Sequence, residues 1–137
     1  MVSPPILLGL GTMVFWGLWA VFARVATRSL LPETAMVISY GTSVPVVLAY
    51  IALQQKSVSL SIDGVVFALI AGIFAAFGAV CFYAGLSYGQ TAIVTTIGAL
   101  YFLVAAVLSA FLFGESLGLK EVFGVMFAVL AVVLFTL

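Results

Sequence analysis

Little in this 137-residue chain could make or break a covalent bond. It has no histidine and a single cysteine, Cys81. Hydrolysis or group transfer needs a nucleophile held beside a base, or a metal held by a cluster of ligating side chains. Cys81 lies in an apolar stretch with no charged residue in its segment, where a thiol behaves as a small hydrophobe. Four Lys/Arg and four Asp/Glu are the whole charge inventory, and they cancel. No basic run offers a surface for nucleic acid. What remains is the chemistry of recognition. Trp16 and Trp19 are three residues apart, on one face of a helix. The sequence reads as non-enzymatic, with no metal, no cofactor and no nucleic-acid partner.

The elements that must position these groups are membrane helices. The chain is 66% hydrophobic and 6% charged, against about 25% charged for a soluble domain. Gly64 to Gly114 holds no Asp, Glu, Lys, Arg or His. One helix over that run would be about 75 Å long, while a hydrocarbon core is about 30 Å thick. The run must fold back, and Tyr88-Gly89-Gln90-Thr91 is where glycine and polar side chains interrupt it. The fold class is all-α, an integral membrane five-helix bundle. Residues 1–137 form one transmembrane domain, with helices over about 5–23, 34–53, 64–88, 92–113 and 119–137. The first segment lacks a basic leader and reads as a retained helix, not a signal peptide. Pro45 should kink the second helix or open its hydrogen-bond ladder. Ala68, Gly72 and Ala76, four apart, form a small-residue stripe that lets helices approach closely. Gly118 suits an N-cap, with Glu121 where a capping box places glutamate.

Five spans put the termini on opposite faces. Lys56 and Lys120 then share the N-terminal face, and Arg24 and Arg28 the other. Basic residues normally orient a membrane chain. Here they balance, so either the chain inserts both ways, giving dual topology and an antiparallel homodimer, or the N-terminal amine or the first helix resolves the weak bias. Two such chains make a ten-helix inverted-repeat assembly, in which a midplane site can face either side.

Short motifs, taken in order, resemble one family. Ala99-Leu100-Tyr101 followed by Leu112-Phe113-Gly114-Glu115-Ser116-Leu117 is similar to the fourth helix and turn of the EamA-type domain of the drug/metabolite transporter superfamily. Glu121 and Gly124 fit the start of that domain's fifth helix. Trp16-Gly17 with Arg24 resembles its first, and Tyr83-Ala84-Gly85-Leu86 the end of its third. Phe102 stands where the family usually has proline, which predicts a straighter fourth helix. The resemblance implies the five-helix bacterial and archaeal branch. It implies a multi-pass transporter in the cell (plasma or inner) membrane, carrying a small-molecule substrate by alternating access. Its partners would be the lipid bilayer and a second copy of itself.

The same resemblance places the substrate cavity against the first, third and fourth helices. The polar and aromatic groups there are Trp16, Trp19, Tyr83, Thr95, Thr96 and Tyr101. Each has a competing structural role, because aromatic residues near helix ends anchor at the interface and mid-helix threonines bond their own backbone. Arg24 either attracts an anionic group or snorkels to the headgroups. Glu115 either offsets a cation or serves the fifth helix's positive end. No carboxylate lies at mid-membrane, where proton relays and cation sites usually are. That points to a small neutral, zwitterionic or anionic metabolite and away from proton-driven export of organic cations. The rival reading is a structural or regulatory membrane subunit, or a half-transporter fragment without transport of its own.

Overall fold

Proline and serine set the helix starts. A computed structural model describes residues 3–55, 60–114 and 118–136. Helix α1 (Pro4–Ala26) opens on two prolines and α2 (Pro32–Leu53) on one. Proline fits the first turn because its missing amide would have had no helical partner there. Helix α3 (Ile62–Ser87) is capped by Ser61, whose hydroxyl accepts from the Gly64 amide at 3.2 Å, with Asp63 in the favourable first turn. Then come α4 (Thr91–Ala99), α5 (Tyr101–Phe113) and α6 (Leu119–Thr136). Helices α1, α2, α3 and the α4–α5 pair are each long and apolar enough to cross a membrane. Glu121 folds back at the start of α6: a methyl group on Gly118 would lie 2.5 Å from its Oε2. That places the carboxylate beside the Gly118 cap position, where a capping box puts it.

The chain divides into two compact units, 1–89 and 90–137. In the first, α3 packs on both α1 and α2, and α1 packs on α2. In the second, α4 packs on α6. The buried hydrophobic residues among those described are Ala20, Ala23, Ala35, Ala79, Tyr83 and Leu86. All belong to the first unit, and four are alanines. Alanine lets helix axes come close, which is how apolar helices gain packing where no water drives them together. The stripe Ala68, Gly72 and Ala76 has no such role within the chain, for all three are exposed. The contact runs instead along Ala79, Tyr83 and Leu86, nearer the α3 C-terminus.

One expectation about helix shape is corrected. Helix α2 runs on through Pro45, which has no amide hydrogen and so leaves one rung of the hydrogen-bond ladder unmade. The fourth segment, expected to be straighter for want of the family's proline, is nonetheless broken at Leu100 (φ −67°, ψ −2°). There the Leu103 amide reaches back three residues, to the Leu100 carbonyl at 2.9 Å, and the Leu100 amide to Ile97 at 3.0 Å. Gly98 next to the break is the weak point, since glycine holds a helix about 1 kcal/mol less well than alanine.

The turn between the third and fourth segments is closed by glycine for a definite reason. Gly89 has φ +91°, a region that L side chains rarely adopt. A methyl group there would also come within 3.2 Å of the Arg24 guanidinium. We expect Gly89→Ala to destabilise the protein by about 1–2 kcal/mol. Its unfolding midpoint in a detergent titration should fall, whereas Gly72→Ala, which meets open space, should leave the midpoint nearly unchanged.

Candidate functional site

Three helices meet at one aromatic cluster. The Trp19 indole of α1 stacks on the Phe82 ring of α3, with centroids 5.0 Å apart and planes 12° from parallel. Tyr83 meets Trp19 edge-on at 5.7 Å and Phe82 edge-on at 6.4 Å. Stacked and edge-to-face pairs are the two arrangements that ring quadrupoles favour. Helix α2 joins through Ser39, whose hydroxyl accepts the Trp19 Nε1–H at 3.1 Å. Tyr83 is 1% exposed and is, with Leu86, one of the largest fully buried side chains. Trp19 and Ser39 are half-buried. Beside this cluster, α2 and α3 leave a cleft of about 80 Å³, lined by Pro32, Glu33, Met36, Val37, Val80 and Tyr83. Its wall is apolar, and Glu33, itself exposed, stands at its side.

Of the residues singled out from the sequence, Trp19 and Tyr83 are therefore in direct contact. Trp16, one turn earlier, is 56% exposed. Thr95, Thr96 and Tyr101 belong to the second unit. The Thr95 hydroxyl donates within its own helix, with the Thr91 carbonyl at 2.7 Å and that of Ala92 at 3.1 Å. Its proton is committed to the backbone, as the structural alternative required. Thr96 is half-buried, and Tyr101 opens α5 just beyond the break, 58% exposed. Glu115 lies outside the described residues.

Arg24 sits in the last turn of α1, half-buried, with its guanidinium beside Gly89. Gly89 follows directly on the C-cap of α3, Tyr88. The carbonyl end of a helix carries partial negative charge, so a guanidinium placed there is stabilised. This gives Arg24 a structural task that the sequence alternatives, headgroup or solute, did not include. Ser39 and Phe82 were also missed. The spacing of Trp16 and Trp19 drew attention to α1, but nothing local in α2 marks one serine as the partner of an indole twenty residues away.

The sequence matches the EamA-like transporter family over residues 3–137. The chain belongs to that family. EamA-like proteins carry small molecules across membranes, so this is a multi-pass membrane transporter working in a lipid environment on a small-molecule substrate. Comparison with curated proteins and with solved structures gives no match. Among the described residues of this EamA-like chain, no group of His, Cys, Asp and Glu is placed to hold a metal ion.

Proposed function

We propose that this transporter moves a small neutral, zwitterionic or anionic metabolite across the cell membrane by alternating access, as an antiparallel homodimer. The observation that carries the reading is the thinness of the core. Only six hydrophobic side chains are buried among the described residues, and none follows residue 89. The cleft of about 80 Å³ is far below the roughly 300–1,000 Å³ of pockets that enclose a small molecule. A second copy supplies the missing wall and covers apolar surface such as Phe123, Met126 and Phe127 of α6, all more than half exposed. With α6 as a fifth span, the even charge balance leaves both orientations open, and inverted pairing follows.

The Trp19–Phe82–Tyr83 cluster supports a solute route along α1 and α3, because aromatic faces offer contact area without charge in the low-dielectric interior. Orientation reporters fused to the C-terminus test the proposal. The expected result is a mixed population, with the terminus found on both sides of the membrane in comparable amounts. A terminus found on one side only removes antiparallel pairing. Loss of labelling at Trp19→Cys, in a Cys81→Ala background with a water-soluble thiol reagent applied from each side in turn, would remove the route.

A further inference from the structure

Hydroxyls inside membrane helices usually bond their own backbone, because nothing else in hydrocarbon accepts the proton. This chain follows that rule repeatedly. Thr12 donates to Leu8, Thr42 to Ile38, Ser43 to Tyr40, Thr95 to Thr91 and Ser109 to Ala106. Each bond goes to a carbonyl three or four residues back. Ser39, on the same helix as Thr42 and Ser43, has no such bond. Among the described residues, its one side-chain hydrogen bond is the one it accepts from Trp19. A serine hydroxyl has one proton and two lone pairs. Trp19 occupies one lone pair, and the proton stays uncommitted. It does so in a half-buried position, one turn along α2 from Met36, which lines the cleft. The indole N–H, in contrast, is already engaged and is not available to a solute.

We propose that Ser39 is a specificity-determining residue that donates its hydroxyl proton to an acceptor oxygen of the solute, selecting carboxylates and amides that carry a flat apolar group. The inference rests on the reading that the Trp19 wall lines the solute route. The two parts of the recognition are separate. The stacked aromatic wall takes the flat group, and Ser39 reads the oxygen. Trp19 contributes a third function: its N–H on the Ser39 oxygen fixes the direction of the hydroxyl and makes it a better donor, as chains of hydrogen bonds polarise one another.

The chain has two tryptophans, so Trp16→Phe leaves Trp19 as the only indole emitter. The full chain in lipid nanodiscs is titrated with benzoate, benzamide and benzylamine, the last presenting the same ring without an acceptor. Benzoate and benzamide are expected to quench Trp19 saturably, and benzylamine to bind more weakly. Ser39→Ala should weaken benzoate and benzamide about fivefold, the size of one hydrogen bond, and leave benzylamine where it was. Ser39→Thr should keep the preference. Ser39→Cys, close to serine in size but a poor donor, should lose it. An equal loss for all three probes on Ser39→Ala would mean that the serine only orients the indole, and would overturn the assignment. So would no loss at all. If none of the probes quenches Trp19 saturably before Ser39 is touched, the wall itself is off the route, and the assignment falls with it.

Discussion

Replacing Tyr83 by alanine is expected to destabilise the protein by about 3–5 kcal/mol, the range for removing a large aromatic side chain from a packed site. Tyr83 is 1% exposed and holds edge-on contacts with both Trp19 and Phe82. Those contacts link α1 to α3, and the cleft beside them links α3 to α2. The described core is only six residues deep and otherwise almost all alanine, so few neighbours can close the gap. The check is reversible unfolding in mixed micelles of a mild detergent and dodecyl sulfate. Tyr83→Ala should unfold at a clearly lower dodecyl sulfate fraction. Tyr83→Phe keeps the ring and should shift the midpoint by less than about 1.5 kcal/mol. Equal midpoints for wild type and Tyr83→Ala would mean that the cluster does not hold the three helices together.

The second large effect concerns orientation. Ser29→Lys with Gln90→Lys adds two positive charges to the face that carries Arg24 and Arg28. Gln54→Lys with Gln55→Lys adds two to the other. All four positions are exposed. Since the native balance is two against two, each double variant should insert almost entirely one way, and the two should insert oppositely. Neither should self-associate when expressed alone, and recovery of a tagged copy with an untagged one should fall at least about tenfold, a difference of 1.4 kcal/mol or more. Expressed together, the two should purify as a pair. Full self-association of either variant alone would mean that the protomers pair in parallel.

Much of the architecture was legible because hydrocarbon permits few solutions. A charge-free run from Gly64 to Gly114 can only be a helical hairpin, and the chain does turn at Tyr88 and Gly89. The interior of the bundle was less legible. Ala68, Gly72 and Ala76 form the more regular stripe, yet Ala79, Tyr83 and Leu86 make the contact. Both sets are apolar and helically spaced, and in a chain this uniformly hydrophobic periodicity does not separate a lipid-facing side from a packed one. The break at Leu100 was hidden for a different reason. The strongest sequence sign of a helix break is proline, and here the interruption carries only a glycine two residues earlier. Within the site, Trp16 and Trp19 were visible as a pair, but only the tertiary fold separates them, half-burying Trp19 against Ser39 and Phe82 while Trp16 remains exposed.

Four of the six buried side chains of the α1, α2 and α3 unit are alanines, Ala20, Ala23, Ala35 and Ala79. A methyl side chain has no rotamer to change and projects no knob into a neighbouring groove. Shear along the alanine contacts lifts out no side chain, so the groups that must be reseated are the aromatic ones, Trp19, Phe82 and Tyr83. Shear between packed helices is one of the established ways in which proteins switch state. In this chain it would be checked at two places, the Trp19–Phe82–Tyr83 stack between α1 and α3 and the Trp19–Ser39 bond between α1 and α2.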